Sequence, residues 1–392
     1  MRKSTNRRRW ILAIIPALVV PHLVAQEKLT LSEAVTRALR NNPDLAADAP
    51  GQEAARSEFR AAGAGYLPRL DIEQSYLAGN NPVFVFGTLL TQRRFAAENF
   101  ALPSLNAPSA EDNVQTRAMV QQTIWDFGRT RNRREQAELG VRMADQAHEE
   151  NVRRILFTVF DAYHQASLAA DALATARLAV RSAESIVSQA QERVDAGMTV
   201  EADLLRSRVY LSTARQQEIE AQGRLESAWA LLHRLMGEPL QGAVGATAPL
   251  LDRSMPLPSE EDLVAEQKRR RPDYRNLLAE LKQAELAVRA RWKEYLPRLY
   301  GYGSWEMDNP SLGDYGGNNW STGITLSWNL FAGGEDKAQL EAARRRLEQK
   351  RLQVRAMESS MALEVRRALI QCRTAEEQVR AAQAAEAQSE EG

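Results

Sequence analysis

The sequence carries one cysteine, Cys372, in 392 residues, so no intramolecular disulfide is open to it. Aromatic residues make up only 6% of the chain, and Gly and Pro are sparse at 21 and 15. Neither sign of charge dominates, because 51 Lys and Arg balance 51 Asp and Glu. The N-terminal apolar stretch, Trp10 to Ala25, is broken by Pro16 and Pro21 and falls short of the roughly 20 residues of a spanning helix. These absences argue against a disulfide-stapled domain, a helical membrane bundle, a disordered chain and a basic nucleic-acid binder. The excess of Ala, Glu, Arg, Leu and Gln is instead the composition of long helices and coiled coil.

The N-terminus reads as a secretory leader. Arg2, Lys3, Arg7, Arg8 and Arg9 precede the apolar stretch, and the small residue Ala25 suits cleavage, which places a signal peptide at 1–25. Removing its five positive charges leaves the remainder at −5. No cysteine follows the apolar run, so an N-terminal lipid anchor is not available. An exported protein of this size without disulfides needs extensive packing, oligomerisation or a membrane for stability.

Comparison of the chain with itself is the most informative step. Pro43-Asp44 recurs as Pro272-Asp273, Tyr66-Leu67-Pro68-Arg69-Leu70 as Tyr295-Leu296-Pro297-Arg298-Leu299, and Asn80 as Asn309, all at an offset of 229. Farther on, Ile124-Trp125-Asp126-Phe127-Gly128 meets Leu330-Phe331-Ala332-Gly333-Gly334 at 206, and Val159, Ala162 and Gln165 meet Val365, Ala368 and Gln371 at the same 206. The difference, 23 residues, is an insertion in the first copy between Asn80 and Ile124. The chain therefore divides into a first repeat at 26–240, a breaker-rich linker at 241–259 and a second repeat at 260–392. Each copy is expected to hold an amphipathic helix (30–64 and 260–294), two strands and a long helix. At the offset of 206, Gly392 corresponds to Ile186, so Val187 through about Leu240 have no counterpart in the second copy. The sequence is expected to be a fragment, with 55–65 further residues holding a second Arg–Gly turn, the estimate coming from the length of the missing counterpart.

The strand segments alternate. Trp320, Thr322, Ile324, Leu326, Trp328 and Leu330 share one face, and Ser321, Gly323, Thr325, Ser327 and Asn329 the other. In the first strand Leu70, Ile72 and Tyr76 oppose Arg69, Asp71, Glu73 and Ser75; in the second Thr116, Ala118, Val120 and Ile124 oppose Gln115, Arg117 and Gln121. Such strands cross a bilayer when tilted, or half-bury in a soluble sheet. In lipid, four strands cannot form a closed barrel and open edges are not tolerated, so a spanning version demands oligomerisation.

Arg129 to Ala196 is one helical pattern without Pro, on the order of 100 Å long at 1.5 Å per residue. It breaks at Asp195-Ala196-Gly197-Met198-Thr199, and a second helix runs through Asp203 to Met236. An antiparallel hairpin with Gly197 at its tip results. No catalytic constellation accompanies these elements: His22, His148, His164 and His233 are scattered, and no phosphate loop or nucleophile elbow occurs. No enzyme activity, cofactor or metal is expected.

Taken in order, Leu29-Thr30-Leu31, Asn41-Asn42-Pro43-Asp44, Tyr66-Leu67-Pro68, Trp125-Asp126-Phe127-Gly128-Arg129, Asp161-Ala162-Tyr163, Arg193-Val194-Asp195-Ala196-Gly197 with Asp203-Leu204-Leu205, Leu235-Met236-Gly237 and Trp328 to Gly334 resemble the outer-membrane efflux protein family, the TolC-like channels. The resemblance implies a mainly α fold with four membrane strands per subunit. Three subunits then form a homotrimer with a 12-stranded β-barrel in outer-membrane lipid and a coiled-coil α-helical barrel in the periplasm of a Gram-negative bacterium. It implies a passive conduit for efflux or type I secretion, coupled through a periplasmic adaptor (membrane fusion) protein to an inner-membrane pump of the RND, ABC or MFS type. It assigns Arg193, Gly197, Met198, Thr199, Asp203 and Arg206 to the tip that meets the adaptor, with Arg193 and Asp203 as contact or inter-hairpin bonding residues. Leu70, Ile72, Tyr76, Val120, Ile324, Leu326 and Trp328 become membrane-facing, and Phe84, Phe86, Phe95 and Phe100 fall in a long external loop that plugs or shapes the exit, or packs on the rim. A non-conducting coiled-coil envelope protein is the alternative function.

Overall fold

A computed structural model describes residues 29–241 and 256–391. The expected leader and most of the expected linker lie outside the described residues. The helices are α1 Leu31–Asn41, α2 Pro43–Ala46, α3 Asp48–Gly63, α4 Pro82–Thr91, α5 Leu102–Asn106, α6 Arg129–Asp195, α7 Glu201–Met236, α8 Glu260–Arg270, α9 Pro272–Lys293 and α10 Glu335–Glu391, and the strands are β1 Arg69–Gly79, β2 Glu111–Trp125, β3 Arg298–Asn309 and β4 Gly317–Ser327.

The single amphipathic helix expected at the head of each copy is in fact broken. In each copy one break falls before a proline, whose ring disfavours helical backbone at the preceding residue, and the first copy is interrupted again at Ala47, between α2 and α3. Asn42 stands at φ −63°, ψ 123° and Arg271 at φ −76°, ψ 116°, both extended. The recurring Pro-Asp is thus the start of a new helix, where a missing N–H costs nothing.

The described residues form two compact units, 29–42 with 156–241, and 43–155 with 256–391. In the first, the C-terminal part of α6 and α7 make the hairpin. Val159, Ala166, Leu173 and Val180 are buried at seven-residue intervals on α6, as are Ala214 and Ala221, and Leu225 and Leu232, on α7. A seven-residue repeat keeps the apolar seam facing its partner only if the helices supercoil. Where Val180, Ala183 and Ala214 meet, the alanines let the backbones approach closely. The Leu-Met-Gly and Asn-Asn-Pro motifs meet at the other end. Gly237 is left-handed at φ +71°, and a Cβ there would lie 2.3 Å from the Asn41 carbonyl oxygen. Asn42 donates its amide to the Leu235 carbonyl at 2.9 Å. Thr30 and Glu33 form a capping box at the start of α1.

The second unit holds the sheet, an antiparallel meander in the order β1-β2-β3-β4. Helix α10 packs on α9 and α8, with Lys350 to Glu280 at 2.6 Å and Tyr274 to Glu358 at 2.7 Å. Arg271 is paired with both Asp273 and Glu364. Among the described residues no helix is long and apolar enough to cross a membrane.

Candidate functional site

The register of the sheet fixes what each face carries. Glu73, Arg117, Glu306 and Asn319 lie in one row across the four strands, and Ile72, Ala118, Trp305 and Trp320 in the next. Because successive side chains point oppositely, one face carries most of the charged and amide side chains, with Leu77, Met119, Tyr300 and Tyr302 among them, and the other most of the apolar ones, with Gln74 and Gln122 among them. Leu70, Ile72, Tyr76, Val120, Ile324 and Leu326 all fall on the apolar face and all are exposed, Ile72 at 73% and Trp320 beside them at 77%. A contiguous exposed apolar surface of this extent marks a contact with lipid or protein. The strands are 11 to 15 residues long, enough to cross a bilayer at a tilt. β1 and β4 each present one edge without a strand partner among the described residues. Trp328 is a correction: β4 stops at Ser327, and Trp328 stands just beyond it with its indole N–H donating to the Tyr295 carbonyl at 2.9 Å.

The chain turns from strand to helix in the same way twice. Phe127 and Gly128 have φ of 54° and 75°, and their counterparts Gly333 and Gly334 have 61° and 88°. Arg129 N–H donates to the Asp126 carbonyl as Glu335 N–H does to that of Ala332. In the first copy Asp126 adds a cap, accepting from the N–H groups of Gly128, Arg129 and Thr130 at 2.8, 3.1 and 2.7 Å. Partial burial works to raise the pKa of this carboxyl, but the hydrogen bonds from Thr130, Gly128 and Arg129 outweigh it and hold the group below the usual range. Arg129 donates to the Lys293 and Leu296 carbonyls, and Lys293 to the Gly128 carbonyl, which ties the first junction to the end of α9.

The inserted segment between β1 and β2 is not an open loop. It folds into α4, a 3-10 turn at Ala97–Phe100 and α5. Asn81 caps α4 by accepting from the N–H groups of Val83 and Phe84. Phe86, Phe95 and Phe100 stack edge to face at 4.9 and 5.0 Å, while Phe84 lies against Gly79. The segment is anchored by polar groups that sequence patterning did not single out. Gln92, 2% exposed, donates to the Asp112 carbonyl at 2.7 Å and to Asn113 Oδ1 at 3.1 Å. Asp308, 1% exposed, accepts from Asn113 at 2.8 Å, Gln115 at 3.2 Å and Asn319 at 3.3 Å. A buried carboxylate needs such donors. The recurrence of Asn80 as Asn309 was a hint to this region, since Asn309 accepts from Gly316 N–H at 2.8 Å in the β3–β4 turn.

At the hairpin tip, Gly197 is left-handed at φ +67°. Its N–H reaches the Val194 carbonyl at 2.9 Å, and Met198 N–H reaches that of Arg193 at 2.8 Å, a paired helix ending that glycine favours. Asp203 accepts from Thr199 Oγ1 at 2.7 Å and from Arg206 at 2.9 Å. It is not bonded to Arg193, whose guanidinium has no ion pair among the described residues. Met198 is 77% exposed, with Val200 and Leu205 also exposed beside it.

Comparison with known proteins places the chain in a family. The chain is 29% identical over 334 residues to the alkaline protease secretion protein AprF of Pseudomonas aeruginosa, covering 82% of this chain and 65% of the relative. It is 25% identical over 277 residues to the pyoverdine export outer membrane protein OpmQ of Pseudomonas putida, covering 69% of this chain and 54% of the relative. The chain thus spans about two thirds or less of the length of these curated relatives. Among solved structures, CusC matches with a TM-score of 0.72 at 19% identity over 90% of this chain and 77% of its own. The CmeC outer membrane channel of Campylobacter jejuni matches with 0.71 at 18% over 84% of this chain and 68% of its own. These two share the fold, and the model of the outer membrane efflux protein family matches residues 34–238 and 263–392. The chain belongs to the outer membrane efflux protein family, and the duplicated strand-and-helix frame is that family's fold.

Proposed function

We propose that the protein is one subunit of an export channel that crosses the outer membrane and the periplasm. The observation that carries this reading is the sheet: four membrane-length strands with an exposed apolar face, a polar face opposite, and an unpartnered edge at each end. A sheet with open edges is not tolerated in lipid. Three copies joined β1 to β4 give a closed barrel of twelve strands, lipid outside and water inside, and the edges vanish.

In this reading the hairpin tip from Arg193 to Arg206 is the periplasmic docking end. Its exposed Met198, Val200 and Leu205 and the free charge of Arg193 suit a periplasmic adaptor, which links the channel to an inner-membrane pump of the RND, ABC or MFS type. The relatives point to two cargo classes, since one is named for protease secretion and the other for pyoverdine export. The conduit itself does no chemistry on either.

Light scattering on the detergent-solubilised protein is expected to give three copies, and reconstitution in planar bilayers a conductance that depends on trimers. A monomer that conducts nothing rejects the reading. Met198→Glu is expected to abolish adaptor capture while leaving trimers intact.

A further inference from the structure

The end of β2 is irregular. Thr123 pairs with Tyr300 and Trp125 with Leu299, so Ile124 is an extra residue in the strand. A bulge of this kind re-aims the side chain that follows it, and Trp125 joins the apolar row of Leu299 and Leu326. Ile124 lies on the same side, its Cδ1 3.3 Å from where a Gly301 Cβ would stand. Two consecutive apolar side chains therefore project from one face, and both are exposed. At the same end of the sheet Tyr66, Phe127, Trp292, Tyr295 and Trp328 are exposed as well. Aromatic rings with a polar edge suit the boundary between hydrocarbon and water.

Ile124 and Trp125 line a cleft of about 660 Å³, within the range of about 300–1,000 Å³ that bound ligands occupy. Arg131 from α6, with Arg289 and Lys293 from the end of α9, also lines it. These three cations stand against two carboxylates, and both carboxylates already have partners. Asp126 accepts from three backbone N–H groups, which closes the start of α6 to any other anion. Glu135 pairs with Arg131 at 2.9 Å. Lys293 donates to the Gly128 carbonyl at 2.7 Å, a neutral acceptor that leaves its charge uncompensated. Arg289 is exposed and has no ion pair among the described residues.

We propose that this cleft binds an anionic phospholipid of the periplasmic leaflet, one molecule per chain. The headgroup phosphate sits among Arg131, Arg289 and Lys293, and the acyl chains run past Ile124 and Trp125 onto the apolar face. Guanidinium groups match two phosphate oxygens at once. A free phosphate leaves the apolar lining in water, whereas a lipid covers it, and that lining is continuous with the apolar face of the sheet. The inference rests on the channel reading, which sets this end of the sheet at the periplasmic surface of the membrane. Because the cleft joins the end of β2, the start of α6 and the end of α9, the lipid clamps the joint between strands and helices.

Native mass spectrometry of the full chain, released from detergent containing dioleoylphosphatidylglycerol, counts the lipids retained. One per chain is expected, and several-fold fewer with dioleoylphosphatidylcholine, whose head carries no net charge. Arg289→Ala is expected to lower retention of the anionic lipid about fivefold, the effect of one cation at an anionic membrane surface. Arg373→Ala, at an exposed position on α10 outside the cleft, is expected to change nothing. Excess inorganic phosphate is expected to leave the lipid in place. Displacement by phosphate makes this an ion site, equal retention of the two lipids makes it a greasy surface, and either overturns the proposal. So does retention unchanged in the Arg131→Ala, Arg289→Ala double variant. Trimers that hold no lipid overturn the site and leave the channel reading standing. Monomers whose lipid depends on Arg289 keep the site and reject the channel, a distinct result.

Discussion

In the first copy the chain leaves β2 through Asp126, Phe127 and Gly128, and in the second it leaves β4 through Ala332, Gly333 and Gly334. Both routes place two left-handed residues in a row, with matching backbone hydrogen bonds. The first holds a phenylalanine in a conformation that costs an L-residue roughly 1–2 kcal/mol, offset by an aspartate that satisfies three N–H groups at the start of α6. The second uses two glycines, which take the conformation freely, and has no side-chain cap at Ala332. The bends before Pro43 and Pro272 differ likewise. Asn42 is locked by a buried amide bond to Leu235, and Arg271 by part-exposed ion pairs to Asp273 and Glu364. Duplication has preserved a backbone path and let its chemistry diverge.

The comparison can be broken at each of these positions, with thermal loss of helix by far-UV circular dichroism as the common measurement. Asn42→Ala is expected to have the largest effect, about 2 kcal/mol, since it strips a buried carbonyl of its donor, and the loss is to be the same in low and high salt.

Asp126→Ala is expected to cost about 1 kcal/mol at neutral pH as a lost cap. The sign of its pH dependence follows from the depressed carboxyl. Its contribution is complete above the unfolded value of about 3.9 and fades as pH falls through the lower folded value. Wild type and variant should therefore begin to converge as pH falls below about 4 and meet only below the lower folded value, and a gap that never narrows in acid removes the carboxylate from the account. The reciprocal change, Ala332→Asp, is expected to stabilise the second junction by about 0.5 kcal/mol at neutral pH and to have no effect in acid.

Gly333→Ala is expected to cost about 1 kcal/mol through left-handed strain, whereas Phe127→Gly should be close to neutral. Relief of the strain is there offset by the lost edge-on contact with Trp125 at 5.9 Å. Smallest is Arg271→Ala, about 0.5 kcal/mol for ion pairs that water partly screens, and it should shrink further in 1 M salt. A salt-independent loss as large as that of Asn42→Ala would erase the contrast between the two bends.

Much of the frame was legible because its signals are local. Alternation sorted Leu70, Ile72, Val120 and Ile324 from Arg69, Asp71 and Arg117 without reference to any partner strand. The unbroken stretch from Arg129 gave α6 its length, and Gly197 marked the tip. The single helices expected at 30–64 and 260–294 fail at Pro43 and Pro272, because the pair that marks the repeat also breaks the helix before it. Trp328 keeps the alternation past the point where pairing with β3 stops, so alternation alone carries the strand too far.

The sequence by itself determined the strand faces, the long helices and the duplication, since a two-residue or seven-residue period is written in neighbouring positions. Tertiary structure alone decided that Asp308 is buried among the amides of Asn113, Gln115 and Asn319, that Arg129 clamps the end of α9, and that the inserted segment lies over the polar face as α4. Each of these joins residues from different copies or across a loop. Their partners are set by strand register and helix docking, which no local pattern encodes.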